Sequence, residues 1–378
     1  MKIGTTHFNL GLVMFGLLPF LAGLKGLMIP ANVTLLAPSA ALAAFIGGRW
    51  TRVGAPNIAD LALLALIGFM MLRLLASLNF VLGLPLDYGL HAISLLVICP
   101  FMYYAGRTMM LDLSSDSAAR LLSINIFIVT LFLVATIVAP DVIKRNGMAA
   151  NSYYQYMGDG LAVAALTAWA LGYRSKFYWV YLLTAALLAS TGSRASALAY
   201  VIAMGFSNLR LLAMGAVVAS PVAYWLSSII TSGASLDWTG QFRVLSTFVA
   251  YFAQDQEDAS FSERQQFLDN AIDVINNQPI FGQIAYEVRS GEMGEYAHNI
   301  LHLWANFGIV ALILMLLVLL GTPLLRLLLG TPRSDRYPLP LLVFVAMELL
   351  FFRHPENIVL FFALGILTTL YVHQTRAA

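Results

Sequence analysis

The sequence predicts an all-α, polytopic integral membrane protein, and three observations carry that prediction. Of its 378 residues, 60% are apolar and only 11% are charged, a balance outside the range of soluble domains. The apolar residues fall in long continuous runs instead of alternating, which excludes a membrane β-barrel. Mean hydropathy over the whole chain is +0.80.

A helix needs about 20 apolar residues to cross the hydrocarbon, so roughly twelve spans fit the chain. They are expected over 8–28, 33–47, 58–78, 88–105, 121–139, 158–173, 177–190, 195–208, 211–230, 300–321, 338–352 and 356–372. The first reads as a helix and not as a cleaved leader, because Phe8 to Met28 contains Pro19 and Lys25 and lacks a small-x-small cleavage site. Starting from Lys2 inside, most of the 21 basic residues fall in inner connectors, although the two longest connectors are outer. That bias puts both termini in the cytoplasm. The lone cysteine, Cys99, lies in an apolar run and forms no intrachain disulfide. No linker or soluble domain interrupts the pattern, so 1–378 reads as a single transmembrane domain with a large outer loop, 231–299, inserted within it. The two halves show no matching pair of broken helices, which argues against a transporter of inverted repeats. The net charge of +2 is sorted by membrane side, and no nucleic-acid partner is expected.

The outer segments are polar in a way bare connectors are not. Pro140 to Asp159 reads PDVIKRNGMAANSYYQYMGD, tyrosine-rich and suited either to an ordered interfacial cap or to a carbohydrate or lipid-phosphate site. In the large outer loop, Phe267, Leu268, Ala271, Ile272 and Ile275 recur at helical spacing, which predicts an amphipathic helix on the outer face. Ser262 and Gln265 have capping-box spacing at its start. Asn276-Asn277-Gln278-Pro279 ends it.

Several charged or titratable positions gather on that outer side. Arg194 sits in Ser190-Thr191-Gly192-Ser193-Arg194-Ala195-Ser196, a turn of small residues that leaves room for an anion. Its guanidinium can bind phosphate bidentately beside the amides that open the next helix, or it can snorkel at a helix end. Arg264 opens the amphipathic helix, where it reads as a solvated charge. His298 closes the loop and Asn299 follows at the mouth of the next span; there the histidine can take a proton from a hydroxyl, with Asn299 orienting the sugar or the ring, or it can cap the helix. His298 and His302 have i, i+4 spacing, but without a flanking glutamate or outer cysteine they make a poor zinc site, and no metal or cofactor is expected. Arg353 and Arg289 are further outer cations available to phosphate, although Arg353 can also simply stitch its turn. Arg73 and Glu348 fall within spans, where charge is costly unless paired or facing a cavity, and both are expected to line one interior cleft.

The order of these pieces matters more than any one of them. The small-residue turn through Arg194, Glu263-Arg264 heading an outer helix, Pro279-Ile280-Phe281-Gly282, and Ala297-His298-Asn299 leading into Leu303-Trp304 and Phe307-Gly308-Ile309 together resemble the O-antigen ligase and O-antigen polymerase superfamily. The resemblance spans roughly Thr184 to Leu316. It implies a GT-C-like glycosyltransferase of the bacterial inner membrane, working at the periplasmic face on glycans carried by undecaprenyl diphosphate. It further implies inversion without a metal, Arg194 and Arg264 binding the diphosphate, and His298 acting at the acceptor hydroxyl. Arg353, Arg289 and Arg73 have no motif behind them. The acceptor is either another lipid-linked repeat unit, making the protein a polymerase, or lipid A core, making it a ligase; membrane lipids and a chain-length regulator are the remaining expected partners. The ligase pattern has one residue more between the His-Asn pair and the glycine than the eight, Ile300 to Phe307, found here before Gly308. That departure and the compact segment from Arg264 to His298 favour the polymerase. A lipid-linked sugar flippase or permease, and a non-catalytic assembly partner, are the competing classes; neither needs a base at the cavity mouth.

Overall fold

A computed structural model describes residues 56–110, 113–138, 153–172, 178–190, 193–207, 259–289, 292–293, 297, 299–328, 338–353, 355 and 357–373. The expected spans at 8–28, 33–47 and 211–230 lie outside the described residues. The described chain is all-α apart from one short hairpin. Its helices are α1 (Ile58–Ala76), α2 (Leu86–Ile93), α3 (Cys99–Met110), α4 (Ser115–Val138), α5 (Tyr153–Ala170), α6 (Tyr178–Ser190), α7 (Arg194–Ser207), α8 (Ala259–Asn277), α9 (Leu301–Phe307), α10 (Ile309–Leu328), α11 (Leu339–Met347) and α12 (Ile358–His373). The hairpin is β1 (Val288–Arg289) against β2 (Glu292–Met293), antiparallel, with Val288 opposite Met293.

Two π-turns interrupt the helical ladder. Ser94–Ile98 joins α2 to α3, and Glu348–Phe352 extends α11. α1 starts where the sequence predicts, because the Asn57 side chain accepts hydrogen bonds from the amides of Ala59 and Asp60 while the Asp60 carboxylate accepts one from the Asn57 amide. α5 starts at Tyr153, earlier than expected, so the tyrosine-rich stretch Tyr153 to Asp159 forms helical turns and not a connector. α8 also starts early, at Ala259. Ser262 therefore lies inside the helix, and the expected capping box with Gln265 does not form its end.

Where helices approach most closely, side chains are missing. A Cβ added to Gly106 of α3 would lie 2.1 Å from the Phe362 carbonyl oxygen of α12, and one on Gly365 would lie 1.8 Å from the carbonyl oxygen of Tyr103. Glycine at both positions lets the two backbones touch, the small-residue packing used between membrane helices. Beside this contact Arg107 pairs with Asp60, and the Tyr103 hydroxyl donates to Asp60 Oδ1 at 2.9 Å.

The helices are apolar inward and outward. In α1, Ala62, Leu63, Leu66 and Met70 are buried, whereas Leu61, Leu64, Leu72 and Leu75 are exposed. α4 exposes Ile124, Phe127, Leu131 and Val134. A helix apolar all round suits a hydrocarbon surround. Among the described residues, α1 alone is long and apolar enough to cross a membrane by itself, and five shorter apolar helices accompany it.

Gly365→Ala should cost folded protein severely, since the methyl has no space between α3 and α12. Size-exclusion profiles of detergent-extracted variant and wild type check this; an unchanged monodisperse peak and melting point would refute the close-approach argument.

Candidate functional site

One guanidinium and the carboxylate it pairs with gather residues of four helices. Arg353 follows the π-turn of α11 and is buried. Its Nε donates to Asp159 Oδ2 and its Nη2 to Asp159 Oδ1, both at 3.1 Å. The same Nη2 donates to the hydroxyls of Ser193 and Ser196 at 2.9 Å. Ser196 in turn donates to Asp159 Oδ1, and Asn357 Nδ2 donates to Asp159 Oδ2 at 2.7 Å. Asn357 Oδ1 accepts the amide of Val359 at 3.0 Å and so opens α12. Glu348 lies 3.2 Å from the same Arg353 Nε. Ser193 and Ser196 belong to the small-residue turn at the start of α7, and they reach Asp159 only because residue 158 is glycine: a Cβ there would lie 2.8 Å from that of Ser193.

The segment that carries His298 is tied to the same π-turn. The Ile300 amide donates to the Leu349 carbonyl at 2.8 Å, and Asn299 Oδ1 accepts the Leu301 amide at 3.0 Å, starting α9. On the other flank, the Ala297 amide donates to the Tyr286 hydroxyl oxygen at 3.1 Å. α8 packs here too, since Ala271 and Ile275 share one apolar cluster with Tyr286, Ala297 and Ala305.

Beneath Ala297 runs a buried polar chain. Asn306 Oδ1 accepts the Ala285 amide at 2.7 Å, which fixes the orientation of its side-chain amide. Asn306 Nδ2 therefore donates to Glu287 Oε2 at 2.9 Å and to His302 Nε2 at 3.1 Å. With Nε2 accepting, the proton of His302 sits on Nδ1, which lies 3.1 Å from the Tyr286 oxygen. Burial pushes the Tyr286 phenol above its ordinary value, so it stays protonated at physiological pH. The loop above this chain is welded to the α9–α10 junction by two glycines. Gly282 (φ +63°) and Gly308 (φ +87°) take left-handed backbone, and a Cβ on Gly308 would lie 2.0 Å from the Ile280 carbonyl oxygen.

The residues singled out in the sequence fall as follows. Arg194 is the first residue of α7, adjoining Ser193. Arg264 lies in α8, two turns before Ala271. Arg289 lies in β1, and His298 lies outside the described residues, between the pinned Ala297 and Asn299. Arg353, expected at a phosphate, is instead buried between carboxylates. Arg73 and Glu348 do not share a cleft: Arg73 Nη2 donates to the Phe281 carbonyl at 2.8 Å and its guanidinium lies over the Phe281 ring, whereas Glu348 faces Arg353. The two charges thus have different neighbours, backbone carbonyls for one and a guanidinium for the other.

Part of this arrangement falls in a segment that is similar to a known family. Residues 179–316 match the family model for O-antigen ligase. The match bears out the resemblance to the O-antigen ligase and polymerase superfamily and supports glycan transfer of that general type. No curated protein matches the chain. The O-antigen ligase segment runs from α6 into α10, so it includes Arg194, Arg264, Arg289, His298 and the Tyr286–His302–Asn306–Glu287 chain. Asp159, Glu348 and Arg353 lie outside it and brace it.

Sequence reasoning missed Asp159, Tyr286, Glu287 and Asn306. Asp159 had a signal: an acid framed by Gly158 and Gly160 at the head of an apolar run is expensive unless paired. The other three looked like ordinary loop and helix polarity.

Asp159→Ala strands the buried Arg353 and should destabilise by about 3–5 kcal/mol, read as a lowered melting transition of the purified protein. A transition unmoved by the change would remove the hub role. Tyr286→Phe, which deletes the bonds to Ala297 and His302, should cost about 1–2 kcal/mol in the same measurement.

Proposed function

We propose that this protein is an inverting, metal-independent glycosyltransferase of the bacterial inner membrane, and that it polymerises lipid-linked repeat units. About twelve membrane helices in a GT-C-like arrangement, both termini in the cytoplasm, carry a periplasmic loop over 231–299. The donor is a glycan on undecaprenyl diphosphate, and the acceptor is a sugar hydroxyl of another repeat unit.

The observation that carries this reading is that two of the motif segments are tied to the end of α11 while a third packs on the residue before His298. Ser193, next to Arg194, binds Arg353; Ile300, two residues beyond His298, binds Leu349; and α8, with Arg264, packs against Ala297. Arg194 and Arg264 then grip the diphosphate, replacing a divalent ion as the source of positive charge. His298 takes the proton of the acceptor hydroxyl as its oxygen bonds to the anomeric carbon. The bond from that carbon to the diphosphate oxygen breaks, and undecaprenyl diphosphate leaves with the electron pair. Asn299, beside the base, orients the sugar. Arg289, in the hairpin, is a further outer cation proposed for the phosphate. Arg353 acts as a positioning residue: its guanidinium already serves two carboxylates, and its part is to hold the turn that presents Arg194.

A ligase using lipid A core as acceptor is the second reading, favoured by the family description of the matched segment. A flippase or permease has no use for a base at His298. A chain-length regulator remains a candidate partner.

Purified protein supplied with undecaprenyl-diphosphate repeat units alone should build a ladder of products. Transfer only after lipid A core is added would replace polymerase by ligase. His298→Ala should abolish transfer while donor binding persists, and Arg194→Ala or Arg264→Ala should weaken donor binding and slow transfer on the order of a hundredfold. Full glycan transfer by His298→Ala would sink the enzyme mechanism.

A further inference from the structure

An open cavity of about 700 Å³ lies between the outer end of α1 and the loop that follows α8. One wall is the turn after α1, with Asn79 and Phe80; the other is the loop carrying Gln278 and Gln283; Arg73 reaches between them. Neither wall is loose. The Gln283 amide donates to the Ala305 carbonyl at 2.7 Å, the Ile309 amide to the Pro279 carbonyl at 3.0 Å, and Trp304 Nε1 to the same Pro279 oxygen at 2.8 Å. Opposite them, Arg73 ties α1 to the Phe281 carbonyl.

The lining chemistry is that of sugar recognition. Asn79, Gln278 and Gln283 are all exposed, and each amide sets a donor beside an acceptor, matching hydroxyls that both give and take hydrogen bonds. Phe80 is 56% exposed and offers an aromatic face to the C–H face of a pyranose. Arg73 is the one charged residue among the described lining residues, and its Nη2 is engaged by backbone carbonyls. A phosphate site would call for more cations than that. The loop wall continues through Ala285 into Tyr286, whose hydroxyl holds Ala297 beside His298.

We propose that this cavity is a neutral-glycan subsite, holding sugar units adjacent to the one that reacts. The proposal deepens the glycan-transfer reading above and rests on it for the identity of the ligand. Rigid walls suit the task, because sugars lose affinity wherever their partners must first be ordered.

The test is saturation-transfer NMR on the detergent-purified full chain, with a neutral, lipid-free oligosaccharide released by mild acid from the host's own surface polysaccharide. Binding is expected for wild type, and about three- to tenfold weaker binding for each of Asn79→Ala and Gln283→Ala, with melting transitions unchanged because both side chains are exposed. Inorganic pyrophosphate and glycerophosphoethanolamine should not displace the oligosaccharide. His298→Ala should bind as wild type does, so the subsite stands or falls even if no transfer is ever observed. Absence of binding to wild type, unchanged affinity in the Asn79→Ala/Gln283→Ala double variant, or displacement by pyrophosphate or by the lipid headgroup would each overturn the proposal.

Discussion

The buried contact between Arg353 and Asp159 organises the rest of the described molecule. Taking a guanidinium and a carboxylate out of water costs several kcal/mol each, and only close geometry with further hydrogen bonds offsets it. Here the offset is nearly complete on the Asp159 side, where both oxygens accept from Arg353 and further bonds come from Ser196 and Asn357. An apolar cluster of equal volume would hold helices together as well, but would tolerate sliding between them. Directional bonds to α5, α7 and α12 fix which turn of each helix meets the others.

The π-turn of α11 extends that constraint to the loop. A π-turn shifts the carbonyl pattern by one residue and appears often at functional sites. In this chain the Arg353 amide bonds back to the Glu348 carbonyl, while the Leu349 carbonyl accepts the Ile300 amide from another segment. One irregular turn thus supplies the anchor for the start of α7 through a side chain and the anchor for the start of α9 through its backbone. A second polar cluster, Asp60 with Arg107, Tyr103 and Thr368, meets α12 eleven residues beyond Asn357, about 16 Å along the helix. α12 is therefore pinned at both ends, with the Gly365–Tyr103 contact between them, and its apolar middle is free to pack closely.

The fold class was legible because it depends on summed hydropathy, and long apolar runs report that directly. Helix positions such as α1 were legible for the same reason, helped by the Asn57 cap. Starts set by local turn chemistry were less so: α5 and α8 both begin earlier than their polar leading residues suggest, since tyrosine, serine and glutamate extend a helix once tertiary contacts hold its later turns. Ala297-His298-Asn299 and the turn through Arg194 were readable as motifs. Their connection was not, because it runs through Arg353 and Leu349, residues distant from both motifs in sequence. The Tyr286–His302–Asn306–Glu287 chain escaped notice for a related reason: its members are common polar residues whose meaning lies only in their mutual distances.

If Arg194 grips the diphosphate as proposed, a division of labour between arginines follows from the same electrostatics. A cation meant for a diphosphate must stay unneutralised until substrate arrives, whereas a cation that braces a fold must be neutralised at once or its burial is ruinous. Arg353 meets the second condition, with Asp159 accepting from its Nε and Nη2 and Glu348 3.2 Å from the same Nε. Ser193 both receives a bond from that anchor and immediately precedes Arg194, so the braced arginine fixes the backbone from which the other one projects. Flexibility in that backbone would spread the second guanidinium over many positions and dilute its hold on a dianion. On that proposed reading, the charge least able to touch substrate is the one that most constrains where Arg194 begins.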